Sequence, residues 1–202
     1  MASNCHNKDT YMKKSSCGKY WSSYNYDESF ISTLSRTYKI SDLQARILSS
    51  RISSLDEAEG FLTPKIKSTL PDPFHLLDMD KSIDRTISAI KASEKICIFA
   101  DYDVDGATSS ALLKNIFSQL GVDINIYVPD RIKEGYGPTE FAMEKIKEDE
   151  TSLIITVDCG SVAFDALERA SELNMDVIVI DHHISLDNLP KAIGVINPNR
   201  LD

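Results

Sequence analysis

Ile96-Cys97-Ile98-Phe99-Ala100-Asp101-Tyr102-Asp103-Val104-Asp105-Gly106 decides the fold: an uninterrupted apolar run, then alternating aspartates, then a glycine. An apolar run of this length predicts a strand buried on both faces of a parallel sheet. Two later runs repeat the plan. Leu153-Ile154-Ile155-Thr156-Val157 leads into Asp158-Cys159-Gly160, and Val177-Ile178-Val179-Ile180 leads into Asp181-His182-His183. In an open parallel sheet such strand ends face one crevice. Carboxylates gathered there would repel one another by about 1 kcal/mol per pair at ~4 Å in water, and by several times that in a cleft. Bound cations make the cluster tolerable, so the sequence predicts a metal site.

Working outward, strands are expected near 96–100, 124–128, 153–157, 177–180 and 194–196, with helices near 107–120, 139–147 and 162–173. The first four strands start 28, 29 and 24 residues apart, which suits right-handed βαβ crossovers. Pro138 fits the first turn of its helix and Gly121 the stop after Leu120. The expected class is α/β, a parallel sheet with helices on both faces, preceded by a small helical N-terminal arm. Residues 1–25, polar and without period, read as a mobile tail that Trp21, Tyr20, Tyr24 and Tyr26 could dock. Residues 26–92 read as the helical arm and linker, and 93–202 as the main domain. Ser41 with Gln44, and Ser54 with Glu57, fit capping boxes. Leu43, Ala45, Ile47 and Leu48 suggest an apolar stripe, as do Ile83, Ile87 and Ile90 in a helix over 80–92. Thr63-Pro64 and Leu70-Pro71-Asp72-Pro73 break the chain between arm and body.

The net charge of −9 argues against a protein that simply coats nucleic acid. The balance is uneven: residues 1–40 hold six Lys/Arg and three Asp/Glu, so they carry +3 and the remainder −12. No apolar run approaches the ~18 residues of a membrane span. Cys5, Cys17, Cys97 and Cys159 have neither zinc-ligand nor redox-motif spacing, so a reduced, cytoplasmic protein with no membrane partner is expected.

Asp101, Asp103 and Asp105 open like a calcium loop, but the twelfth position is Leu112 where a bidentate Glu is needed, and a strand precedes the loop. A phosphatase with an aspartate nucleophile also begins D-x-D after a strand, and leaves Asp181-His182-His183 unexplained. Asp158 alone is equally readable as a helix cap. Beside two other acidic strand ends it becomes a bridging carboxylate. The paired imidazoles His182 and His183 favour a metal ligand plus a proton donor or phosphate contact, whereas His6 and His75 lie in tail and linker. Oxygen and imidazole ligands without thiolate suit Mn²⁺, with Mg²⁺ an alternative. Two ions about 3.5–4 Å apart would activate water and clamp a phosphoryl oxygen. The segment from Arg131 to Gly137 is either a plain surface loop or a phosphate-holding one. Arg200 sits at a turn from which it could reach phosphate.

Asp101–Gly106 with Ala107-Thr108-Ser109-Ser110, Glu134–Gly137, Val157–Gly160, Asp181–His183 and Ile196-Asn197-Pro198-Asn199 together resemble, in order and spacing, the DHH phosphoesterase family, and within it the RecJ-like branch of single-stranded-DNA-specific exonucleases. The resemblance runs from about residue 50 to the last residue. It implies two-metal hydrolysis of phosphodiesters, 5′ to 3′ on single-stranded DNA, in repair and recombination, with other repair proteins as further candidate partners. It also implies that Asp101, Asp103, Asp105, Asp158 and His182 are metal ligands, with Asp158 bridging. Asp158, His182 and His183 would be the catalytic groups, and His183 would contact the scissile phosphate or assist proton transfer. Arg131, Gly135, Tyr136, Gly137 and His183 would bind substrate. Ala100 stands where the family usually has Gly, and Cys159 where Asn is common. Family members continue past this point with a further aspartate ligand and substrate-gripping domains, so weak or no activity is expected of this polypeptide alone. Two other readings stay open: a phosphodiesterase for short oligoribonucleotides or cyclic dinucleotides, and a catalytically inactive binding module.

Overall fold

A computed structural model describes residues 13–22 and 25–201. The described chain separates after Pro71 into two compact units.

In the first unit, β1 (Lys13–Lys14) and β2 (Tyr20–Trp21) form a small antiparallel hairpin. The expected tail over 1–25 lies partly outside the described residues, as do Cys5, His6 and Tyr24. Within the described part Tyr20 and Trp21 are exposed. Four helices follow: α1 (Glu28–Tyr38), α2 (Asp42–Ser49), α3 (Leu55–Leu62) and the single turn α4 (Ile66–Thr69). The capping box at Ser41 is complete, with Gln44 bonded back to the Ser41 amide. At Ser54 only half of it forms: the hydroxyl accepts from the Glu57 amide, but the Glu57 carboxylate reaches past it to the Ser53 amide. Ile31, Leu34, Ala45, Leu48, Ile52 and Ala58 make a small core. The stripe read in α2 is half right. Ala45 and Leu48 are buried, but Leu43 and Ile47 are exposed, because two positions along a helix are some 200° apart and point to opposite sides.

The second unit opens with a 3₁₀ turn (Pro73–His75), then α5 (Met79–Lys91). β3 (Ile96–Ala100), α6 (Val104–Gln119), β4 (Asn125–Tyr127), α7 (Glu140–Glu148), β5 (Leu153–Val157), α8 (Phe164–Glu172), β6 (Asp176–Ile180) and β7 (Gly194–Ile196) follow. All neighbours in the five-stranded sheet are parallel, in the order β4-β3-β5-β6-β7. The expected parallel α/β fold is present.

Strand alternation builds two cores. Cys97, Phe99, Ile154, Val177 and Val179 face α7 and α8, where they meet Met143, Ile146, Leu167 and Ala170. Ile96, Ile98, Ala100, Leu153, Ile155 and Ile178 line the opposite face with Ala89 of α5 and Phe117 of α6. Burial on both faces is why these strands read as continuous apolar runs rather than as alternating ones. In α5 the most buried residues are the small Ser82 and Ala89, flanked by the partly buried Ile83 and Ile90, while Ile87 is exposed. Small residues let α5 approach β7 closely: a Cβ on Gly194 would sit 2.2 Å from Ser82 Oγ.

Element ends differ from the sequence reading where local caps decide. β4, at the sheet edge, pairs over three residues only. Pro138 precedes the Thr139 cap of α7 rather than occupying its first turn. Arg200 does not face a phosphate site. Its guanidinium is buried, donating to Asp78 Oδ2 at 2.8 Å and to the Val195 carbonyl, and so ties the turn after β7 to the start of α5.

Candidate metal centre

After β3 the chain goes outward to β4, then returns to β5 on the other side of β3. This reversal opens a crevice at the carboxyl ends of β3 and β5. The ladder runs one residue past each strand: the amide of Asp101 donates to Val157 O, that of Asp158 to Ile180 O, and that of Asp181 to Ile196 O. Three acids from distant parts of the sequence are thereby held level at the rim.

The aspartate run enters α6 directly. Asp103 is the N-cap, its Oδ1 accepting from the amides of Asp105 (2.9 Å) and Gly106 (3.2 Å). That cap starts the helix at Val104, three residues earlier than the sequence reading. Gly106 is required by close approach, since a Cβ there would lie 2.2 Å from the Asp101 carbonyl oxygen. The turn after β5 is equally tight. Asp158 has φ +63°, and Gly160 has φ +112° with no room for a Cβ, which would lie 2.8 Å from Thr156 Oγ1; that hydroxyl donates to the Cys159 carbonyl. α8 is capped at Ala163 without a side-chain bond, so Asp158 is not its cap.

Ligand atoms of Asp101, Asp103 and Asp158 lie within 4.8 Å of one another, and so do those of Asp158, His182 and His183. Asp158 belongs to both groups. His182 Nε2 lies 3.0 Å from Asp158 Oδ1, and the two imidazole rings are 4.6 Å apart. Asp105 falls in neither group and lies inside the first turn of α6. It lines a cavity of about 320 Å³ together with Thr108, Ser109, Asp158, Asp181 and His182.

Electrostatics separate the acids. Burial pushes the Asp158 carboxyl above its ordinary value, and the neighbouring Asp103 adds to the push, against a smaller pull from His182. The amide of Gly106 leads the interactions that hold Asp103 below its ordinary value. Burial would raise Asp181, but the Ser161 amide and His183 outweigh it and keep the carboxyl low. Asp181 Oδ2 accepts from Ser161 N, and Oδ1 accepts from the amides of His182 and His183 and pairs with His183 Nδ1 at 2.8 Å. It is a positioning group, and nothing in the sequence set it apart from the other strand-end aspartates. This pairing also raises the His183 imidazole above its ordinary value.

A divalent ion fits these donors. Asp101 is 3% exposed, and its Oδ1 is buried with no hydrogen-bond partner in the protein. A carboxylate oxygen in that state is costly unless a cation or water satisfies it. The donors are oxygen and imidazole nitrogen only, a set that suits Mn²⁺ or Mg²⁺.

The loop after β4 reaches the same rim. Tyr136 meets the His183 ring edge-on at 6.3 Å and the Tyr102 ring at 6.4 Å, and the Arg131 guanidinium lies 5.1 Å over Tyr102. Burial leads the effects that push the Tyr136 phenol up to about 12. Gly135 and Gly137 flank Tyr136 at φ +86° and +74°. The sequence reading passed over Tyr102, Thr108 and Ser109 as separate contributors. Their place between or just after the aspartates was the available signal.

A parallel sheet bearing acids and paired imidazoles on its carboxyl rim defines an α/β domain with a candidate metal centre. Residues 95–202 match the DHH family N-terminal domain, and the chain belongs to the DHH family. It is similar to the single-stranded-DNA-specific exonuclease RecJ of Bacillus subtilis (strain 168), 38% identical over 181 residues that cover 89% of this chain and 23% of the relative. It is likewise similar to RecJ of Escherichia coli (strain K12), 35% identical with 79% of this chain and 27% of the relative covered. The chain thus spans about a quarter of the length of these relatives. A crystal structure of exonuclease RecJ bound to manganese matches with TM-score 0.57 and 30% identity over 61% of this chain and 31% of that one. RecJ in complex with Mn²⁺ from Thermus thermophilus, 23% identical with TM-score 0.57 over 86% of this chain and 24% of that one, supports the fold. Among the described residues no helix is long and apolar enough to cross a membrane.

Proposed function

We propose that this chain carries the metal-binding part of a RecJ-like exonuclease that hydrolyses single-stranded DNA from 5′ to 3′ in repair and recombination. The observation that carries the reading is the membership of Asp158 in both ligand groups. One carboxylate shared by two sets of donors is an arrangement that would let a pair of ions sit side by side. In this reading Asp101 and Asp103 serve one position, His182 the other, and Asp158 both. Asp105 approaches from the cavity wall. Mn²⁺, or Mg²⁺, supplies Lewis acidity toward phosphate and water when bound.

The chain's own groups do the rest. His183, with Nδ1 held by Asp181, keeps Nε2 for a phosphate oxygen or a proton. Arg131 offers charge to the phosphate backbone, and Tyr136, between Gly135 and Gly137, offers a ring to a base. Residues 72–202, with α5 packed on the sheet, form the chemical domain in this reading and 26–71 an accessory arm. A cytoplasmic setting belongs to it as well, supported by the free thiols of Cys97 and Cys159.

The test is a gel assay on 5′-labelled and 3′-labelled single strands with Mn²⁺, using this chain and a version extended at its C-terminus. Stepwise loss from the 5′ end by the extended protein is expected. Cleavage of cyclic dinucleotides or short oligoribonucleotides in preference to DNA would overturn the substrate. Absence of both Mn²⁺ binding and cleavage would leave an inactive binding module.

A further inference from the structure

We propose that Asn197 and Asn199, in the turn after β7, are positioning residues that clamp the twin-histidine loop and thereby set the pose of both imidazoles. This rests on the metal-centre reading above. All four main-chain polar groups of His182 and His183 are held by side chains. Their two amides donate to Asp181 Oδ1. Their two carbonyls accept from carboxamides: His182 O from Asn199 Nδ2, and His183 O from Asn197 Nδ2 at 2.9 Å.

The clamp is itself braced. Asn197 is 4% exposed, its Nδ2 also donates to Ser161 Oγ at 2.7 Å, and its Oδ1 accepts from the Asn199 amide at 2.8 Å. Ser161 in turn donates its amide to Asp181, so the ring of bonds closes on the acid that holds the other side of the loop. The histidines stand outside any helix or strand, so side-chain bonds rather than a ladder or helix fix their main chain. Without the clamp, the loop that sets the 3.0 Å approach of His182 Nε2 to Asp158 is held on its amide side only, by Asp181. Groups that orient ligands in this way are commonly worth 10–100-fold in metal affinity.

The test uses the full chain, first metal-free. Asn199 is exposed, so Asn199→Ala is expected to fold with a melting temperature close to that of the parent. Long-range ¹H–¹⁵N correlation of the imidazole nitrogens should show the His182 and His183 ring signals shifted or broadened in Asn199→Ala and partly restored in Asn199→Gln. Mn²⁺ affinity, read by calorimetry, should fall about tenfold or more in Asn199→Ala. Asn197→Ala should add to the effect where it folds. Ring signals and Mn²⁺ affinity unchanged in Asn199→Ala would overturn the proposal. Should the parent chain bind no Mn²⁺, the functional reading falls, and the metal-free ring signals alone decide the clamp: moved, it stands; unmoved, it fails.

Discussion

Asp158 and Asp181 are the same residue at the same place on neighbouring strands, and they do opposite work. Each follows an apolar parallel strand, and each continues the ladder by one bond. Yet Asp181 has its oxygens filled by three amides and an imidazole and stays readily ionised, while Asp158 shares its surroundings with Asp103 and is pushed toward protonation. A filled carboxylate organises a loop. One set against another acid is pushed toward protonation, the state a cation would relieve in the proposed reading. The difference teaches that strand-end position supplies the acid, but the hydrogen bonds around it assign the task.

The largest expected effect breaks the contrast at Asp158. In the C-terminally extended protein, Asp158→Ala should lower exonuclease activity on the order of 10³-fold, as several kcal/mol of charge stabilisation is lost. Near-parental turnover in the labelled-strand assay would refute the bridging role. Next comes Asp181→Ala, which strands the amides of Ser161, His182 and His183 and should destabilise the fold by about 2–3 kcal/mol. Urea unfolding measures it. Asp181→Asn should cost less, because it keeps one acceptor oxygen.

Gly106→Ala tests the rim itself. The added methyl group meets the Asp101 backbone, and a loss of about 1–3 kcal/mol is expected, together with weaker Mn²⁺ binding. Asp158→Asn sharpens the comparison by sign. In chelator-treated protein it should stabilise by about 1 kcal/mol, because repulsion from Asp103 is removed, whereas Asp181→Asn destabilises. Equal signs for the two variants would show the acids to be equivalent after all.

The smallest effect concerns an acid outside the pair. Burial acts to raise the Asp78 carboxyl, but Lys81, the Val195 amide and Arg200 hold it lower than usual. Its contribution to stability is therefore present above the unfolded value near 4 and is lost as pH falls through the lowered folded value. Asp78→Asn should flatten that acid limb of the stability curve and leave the neutral region with a constant offset.

Most of the architecture was readable before any coordinates. Runs buried on both faces have few alternatives, so β3, β5 and β7 were located to the residue, and parallel pairing was expected from the crossover lengths of the first four strands; the strand order was not. Helix starts were less readable. Asp103 doubles as cap and cluster member, which moves α6 forward and puts Asp105 inside its first turn. The α2 stripe was misjudged because apolar composition does not say which side of a short helix is covered.

Covalent order alone was enough to announce acids and imidazoles at the ends of buried strands, since an apolar run and the residues just after it are neighbours in the chain. The sharing of Asp158 between two ligand groups, the filling of Asp181, the burial of Arg200 against Asp78 and the grip of two asparagines on the histidine loop were beyond its reach. Each depends on groups 14 to 122 residues apart meeting within hydrogen-bond distance. Such meetings are set by sheet register and helix packing, which no single stretch of chain encodes.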